Sequence, residues 1–151
     1  VETVATMARI AKAAEEGIEY DRRYRTYEFK IKNTVDAISH GACGMAIDIG
    51  AKAIAVCSLS GMTARMVSRF RSPVDILGVT TSEKTFRKLA LSWGVTPVLC
   101  EPLNSTDVLF YRAKQLAKEA FDLRCGDLIV VTGGITNGHS GNTDLIKVEK
   151  I

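Results

Sequence analysis

Ala53-Ile54-Ala55-Val56-Cys57-Ser58-Leu59-Ser60-Gly61-Met62-Thr63-Ala64 sets a short apolar run, partly β-branched, directly before three hydroxyls, a glycine and the return of helical spacing. An apolar run of this length without alternation reads as a strand covered on both faces. The N–H groups that begin the following helix have no intrahelical partner and carry the positive end of its dipole, so they favour an anion by ~0.3–1 kcal/mol when exposed. With Ser58, Ser60 and Thr63 adding hydroxyl donors, the segment outlines a phosphate cradle. A plainer alternative stands beside it on these residues alone: Ser60 caps the helix and Gly61 eases the turn, with no ligand.

Upstream, Val35, Ile38, Ala42, Met45 and Ile49 recur at three- and four-residue steps, predicting a helix from about Thr34 to Ile49 that Gly50 stops. An earlier helix is predicted over Glu2 to Glu16, with Val4, Met7, Ile10, Ala11, Ala14 and Ile18 on one face. The expected organisation is a terminal helix over residues 1–17, a linker or hinge over 18–33, and an α/β domain over 34–151. Downstream, Ser72-Pro73 breaks the pattern and Asp75 to Val79 forms a second strand. Thr80-Thr81-Ser82-Glu83 opens a helix through about Ser92, Gly94 ends it, and Val95 to Cys100 supplies a third strand. Asn104, Ser105 and Thr106 are candidate caps for a longer helix whose Leu109, Ala113, Leu116, Ala117 and Ala120 would face the sheet. Gly126-Asp127 turns into a fourth strand, Leu128 to Val131. Asp144 to Lys150 follows too closely for a helical crossover, so it is expected to pair antiparallel at an edge. The predicted class is α/β: three layers, a mainly parallel five-stranded sheet with its last strand antiparallel at the edge, and helices on both faces.

The loop between the last two strands, residues 132–143, holds four glycines and several small polar residues. Glycine permits positive φ and close approach of backbone to a ligand, as an effector-binding loop needs; a flexible hairpin without a ligand fits the same composition. In open α/β sheets, ligands bind beyond the carboxyl ends of the strands where the strand order reverses. If strand one lies beside strand four, both loops open on one crevice, with a phosphate on the first and a sugar or nucleoside under the second.

At 151 residues the chain fits one domain, able to bury about 70% of its unfolded surface. Hydrophobic content of 46% with 25% charged residues is ordinary for a soluble globular protein, and the apolar runs are too short for a bilayer, so no membrane is expected. The net charge of +3 is scattered except at Arg22, Arg23, Arg25, Lys30 and Lys32, where Tyr20, Tyr24 and Tyr27 interleave. A solvated helix end or a subunit contact is the preferred reading of that group over a nucleic-acid patch. Cys43, Cys57, Cys100 and Cys125 form no C-x-x-C pair and sit in or beside apolar segments, as reduced core residues of an intracellular protein would. His40 and His139 lack a His or Cys at ligand spacing, so no metal site is expected and His40 reads as structural. Starting at Val1 and already helical, the chain reads as a piece of a longer polypeptide, with no secretory signal within it. No Ser/His/Asp arrangement, purposeful carboxylate pair or P-loop motif appears, and no catalytic residue is assigned.

In order and spacing, the chain resembles the C-terminal regulatory domain of pyruvate kinase over nearly its whole length. The resemblance rests on Val1-Glu2-Thr3 through Met7-Ala8-Arg9-Ile10-Ala11, Asp36-Ala37-Ile38-Ser39-His40, Ala51-Lys52-Ala53-Ile54 and Ser60-Gly61-Met62-Thr63-Ala64-Arg65. It continues through Trp93-Gly94-Val95-Thr96-Pro97-Val98 and Gly126-Asp127 to Thr132-Gly133-Gly134, closing with Leu145-Ile146-Lys147-Val148. It implies a parent enzyme of glycolysis that transfers phosphate from phosphoenolpyruvate to ADP, giving pyruvate and ATP with Mg and K ions, in the cytoplasm. The catalytic barrel and its metal and cofactor residues would lie outside this chain, leaving it inactive alone. The resemblance further implies a phosphorylated effector, often fructose 1,6-bisphosphate, on Ser58, Ser60, Gly61, Met62 and Thr63. The covering loop would be Gly134, Thr136, Gly138, His139, Ser140, Gly141, Asn142 and Thr143, and the domain would contribute to a tetramer.

Departures from the family pattern bear on the effector. Leu59 and Met62 stand where many members carry basic residues, and Leu109 occupies the position of an Arg that usually meets a second phosphate; Arg112 is a turn away. A monophosphate such as AMP, ribose 5-phosphate or glucose 6-phosphate therefore competes with the bisphosphate. Two other classes are a phosphosugar isomerase-like module, for which no Glu or His stands beside the loop, and an assembly domain with a vestigial site.

Overall fold

The computed structural model describes residues 1–102, 105–134 and 143–151. Along them run α1 (Glu2–Glu15), α2 (Tyr20–Thr26), α3 (Thr34–Asp48), β1 (Ala53–Cys57), α4 (Met62–Arg69) and β2 (Asp75–Thr80). Next come α5 (Glu83–Leu89), β3 (Val95–Leu99), α6 (Thr106–Phe121), β4 (Leu128–Gly133) and β5 (Leu145–Lys150). The sheet order is β3-β2-β1-β4-β5, parallel throughout except for the antiparallel β4–β5 pair. The expected α/β class, parallel core and antiparallel edge strand are all present, and the strand order reverses between β1 and β4.

Every residue of β1 is buried, because its alternate side chains serve two cores. Ile54 and Val56, with Ile76 and Val130, meet Ala42, Ala46, Ala64 and Val67 from α3 and α4. Ala53 and Ala55, with Leu77, Ile129 and Val131, meet Leu109, Ala113 and Leu116 from α6. Each Val, Leu or Ile so buried stabilises by ~1.5–3 kcal/mol, which accounts for an apolar run that does not alternate. On α6, Phe110 joins the buried stripe and Ala120 is exposed. Asp122, in the left-handed region at φ 48°, turns the chain back so that Leu123 closes that end of the core instead.

Element ends move for local reasons. Strand β4 runs two residues beyond Val131 because β5 pairs with Thr132 and Gly133. Helix α5 stops at Leu89, since Leu91 and Ser92 turn back to the carbonyls of Lys88 and Leu89 and the Ser68 hydroxyl donates to the Trp93 carbonyl at 2.6 Å. Residues 18–33, expected as a linker, contain α2, whose buried residue is Tyr24. Its other contacts are Arg25 reaching Asp21 at 3.1 Å and Asp48 at 3.2 Å and Tyr20 lying against Trp93, which make no apolar period to read. Tyr24 donates to the His40 carbonyl at 2.6 Å and stacks on the His40 ring, which also meets Phe29 and Phe70. Burial pulls the His40 imidazole below its ordinary pKa, so it stays neutral near pH 7 within this aromatic cluster. Helix α1 buries none of its residues, and its Glu15 accepts from Trp93 Nε1 at 2.8 Å. Among the described residues no helix is long and apolar enough to cross a membrane.

The cysteines divide. Cys43 and Cys57 are buried, as expected, and desolvation pushes both thiols up to about 12. Contrary to the core expectation, Cys100 is half-buried and Cys125 is exposed, because Cys125 sits in the turn before β4 rather than in its apolar run. A thiol reagent at pH 8 is expected to label Cys125 first and Cys100 more slowly, and to reach Cys43 and Cys57 only on unfolding. Mass spectrometry of the partly labelled chain checks the order, and early labelling of Cys57 would contradict this packing.

Candidate functional site

The chain leaves β1 into the loop Ser58–Gly61, which two neighbouring elements and a bond of its own hold. The Ser58 N–H donates to the Val79 carbonyl at 2.9 Å, carrying the β1–β2 pairing one residue past the strand. Ser58 Oγ accepts from the Gly61 N–H at 3.0 Å, closing the turn from within. The Leu59 carbonyl accepts from Thr85 Oγ1 at 2.9 Å and from Thr80 Oγ1 at 3.4 Å. The loop is thus pinned by β2 and by the first turn of α5, and two threonines outside the expected site set position it.

Gly61 begins α4 in the left-handed conformation, φ 75° and ψ 3°. The helix has no side-chain cap and no acidic residue in its first turn. The simple capping role considered for Ser60 is therefore not what the structure shows. The N–H groups of Met62, Thr63 and Ala64 lack intrahelical acceptors at the positive end of the dipole. Ser60 and Met62 are exposed at the mouth, whereas Thr63 is 3% exposed and turned inward.

Thr63 Oγ1 meets Thr143 Oγ1 at 2.5 Å across 80 residues of sequence. Thr143, itself buried, ends the glycine-rich loop just before β5. This contact spans the switch point between β1 and β4, so both ends of the expected two-loop site converge there. Gly133 makes the approach: a Cβ at that position would lie 3.2 Å from Cys57 Cβ and 3.3 Å from its carbonyl oxygen. Gly134 and Thr143 are placed. The other covering-loop candidates, Thr136, Gly138, His139, Ser140, Gly141 and Asn142, lie outside the described residues, as does the candidate cap Asn104.

On the opposite face of the sheet, α6 supplies little positive charge toward an anion. Leu109 is buried in the core. Lys114 and Lys147 both engage Glu149, at 3.9 and 2.7 Å, and Lys147 also lies over the Phe110 ring. The Glu149 carboxylate raises the Lys147 pKa, holding that ammonium in its charged form. Arg112 is exposed and enters no ion pair among the described residues. The arrangement offers backbone donors and hydroxyls for one phosphate more readily than a paired set of cations for two.

Comparison with known proteins adds an independent line. The family described as pyruvate kinase, alpha/beta domain, matches residues 36–149. The chain is 42% identical to a pyruvate kinase of Clostridium acetobutylicum over 152 aligned residues, covering 100% of this chain and 32% of that protein. It is 38% identical to a pyruvate kinase of Staphylococcus epidermidis, covering 99% of this chain and 26% of that protein. The crystal structure of a pyruvate kinase from Cryptosporidium parvum superposes with a TM-score of 0.83 at 26% identity, over 98% of this chain and 29% of that one. The chain spans about a third or less of the length of these relatives.

Proposed function

Because the chain belongs to the pyruvate kinase family, as its C-terminal alpha/beta domain, we propose that it serves as the regulatory part of an enzyme converting phosphoenolpyruvate and ADP to pyruvate and ATP. The parent enzyme would use Mg and K ions held elsewhere, act in the cytoplasm, and assemble as a tetramer to which this domain contributes. The chain's own task would be to hold a phosphorylated small molecule between the Ser58–Thr63 loop and the loop that ends at Thr143. The observation that carries this reading is the Thr63–Thr143 hydroxyl contact at the sheet's switch point. It joins an uncapped helix start to the second loop where open α/β sheets bind ligands.

The phosphate would lie on the N–H groups of Met62 and Thr63, with Ser60 reaching it from the loop and Thr63 shared between ligand and Thr143. With Leu109 buried and the α6-side lysines engaged by Glu149, one phosphate is better served than two. Regulation follows as a population shift: an effector moves the subunit or domain equilibrium by as much as its affinity differs between the two states. Calorimetric titration with fructose 1,6-bisphosphate, AMP, ribose 5-phosphate and glucose 6-phosphate tests the site. A monophosphate is expected to bind, and Thr63→Ala to weaken it about tenfold, the loss of one hydrogen bond to a charged group. Affinity unchanged in Thr63→Ala would remove the two-loop site and favour an assembly role.

A further inference from the structure

The basic stretch before α3 is sorted by the fold into engaged and free groups. Arg22 pairs with Glu19 at 3.2 Å, Arg25 with Asp21 and Asp48, while Tyr24 is buried and Tyr20 lies against Trp93 with centroids 5.0 Å apart. Arg23, Lys30 and Lys32 enter no ion pair among the described residues. Together with Tyr27 they rim a cavity of about 380 Å³ whose inner wall is Phe29 and the Arg69–Arg71 segment. That volume is within the range of small-molecule sites, roughly 300–1,000 Å³.

The cavity lies at the C-terminal end of α4, an eight-residue helix, and so ~12 Å along its axis from the Gly61 loop. Its back wall is rigid. Phe29 packs edge-on against buried Phe70 at 4.8 Å, and Arg69 is tied to buried Asp36 at 3.4 Å. Arg71 sits just past the helix in the left-handed region, φ 52°, where glycine is the usual residue. Its guanidinium lies 4.6 Å over the Trp93 ring. A strained position that carries an arginine places a fixed cation at the inner edge of the cavity. At the mouth, Tyr27 is 60% exposed and braced by Phe29 at 4.7 Å, so its ring has a solvent-facing surface on which a flat group can stack.

We propose that this cavity binds a nucleoside phosphate, at a site separate from the two-loop crevice. The phosphate is held by Arg23, Lys30 and Lys32, and the base lies on Tyr27. Charged donors bind phosphate oxygens more strongly than neutral ones do, and a base stacks on an aromatic ring through its π-face whatever its hydrogen-bonding edge. The site therefore distinguishes nucleotide from free sugar phosphate while discriminating little among bases.

Calorimetric titration of the chain with AMP, GMP and UMP, and separately with adenosine and inorganic phosphate, tests this. The three nucleotides are expected to bind with affinities within about fivefold of one another, and each fragment about tenfold or more weaker. Lys30→Gln with Lys32→Gln, and separately Tyr27→Ala, are expected to weaken nucleotide binding about tenfold each. These side chains are exposed, so the thermal midpoint should hold, and Arg71→Gly offers a further variant that relieves backbone strain while removing the cation. Thr63→Ala should leave unchanged the component of nucleotide binding that the Lys30, Lys32 and Tyr27 variants weaken, while any AMP held in the two-loop crevice is a second component that Thr63→Ala alone weakens. The proposal is overturned by absence of saturable binding at millimolar nucleotide, or by binding indifferent to the cavity variants. It is also overturned by loss of that first component in Thr63→Ala, which would put the nucleotide in the crevice, and by phosphate alone binding as tightly as nucleotide.

Discussion

Replacing Phe70 with alanine is expected to lower stability by about 3–5 kcal/mol, the cost of emptying a fully enclosed aromatic site. Phe70 is 1% exposed and receives Phe29 at 4.8 Å and His40 at 5.2 Å, both edge-on, with the Arg69 guanidinium 4.8 Å from its centroid. Aromatic pairs of this kind add ~0.5–1.5 kcal/mol beyond the buried area, and neither partner can fill the space from its own backbone. At this chain length each kcal/mol moves the midpoint by ~2–4 °C, so a fall of roughly 10 °C should appear in a thermal melt followed by circular dichroism. Tyr27→Ala, truncating a ring already 60% exposed, is the control and should move the midpoint by far less. Equal shifts would mean that the cluster joining α2 to α4 is not part of the cooperative core.

The parallel part of the sheet was readable because its strands announce themselves by apolar residues between punctuating ones. Ala53–Cys57 is the clearest: five residues with no polar interruption, bounded by Lys52 and Ser58. The antiparallel edge followed from chain length alone, since Thr132 to Asp144 leaves no room for a crossover helix. Helix α2 was not readable. Its sequence Tyr-Asp-Arg-Arg-Tyr-Arg-Thr buries one side chain, and its other contacts, charge pairs and the Tyr20–Trp93 ring contact, leave no hydrophobic period to register. At the site, the cradle outline over Ser58–Thr63 was visible, but the division of labour within it was not. Ser58 spends its hydroxyl on the turn and Thr63 meets Thr143, pairings that depend on β1 and β4 being neighbours. Thr80 and Thr85, which hold the Leu59 carbonyl, left no local mark because their partner lies on another element.

Gly61→Ala is expected to lower stability by about 2–5 kcal/mol and to weaken any ligand held by the first turn of α4. Two separable costs make up the figure. A non-glycine residue in the left-handed region costs ~1–2 kcal/mol, and Gly61 lies at φ 75°. The added Cβ would also stand 2.9 Å from Thr85 Cγ2 and 3.2 Å from Leu89 Cδ2, an overpacking of ~1–3 kcal/mol. Gly94 isolates the first cost: it has φ 65°, and a methyl added there would meet nothing within 4 Å, so Gly94→Ala should lose only the conformational part. Thr85→Ser isolates the second, because serine keeps the hydroxyl that holds the Leu59 carbonyl while removing the methyl that Gly61→Ala would strike. Denaturant unfolding of the two single variants and their combination should therefore show partial rescue, the double variant losing less than the sum. Strict additivity, or a Gly61→Ala loss no greater than that of Gly94→Ala, would mean that the loop is not pressed against α5. The Ser/Gly loop would then owe its shape to its own turn alone.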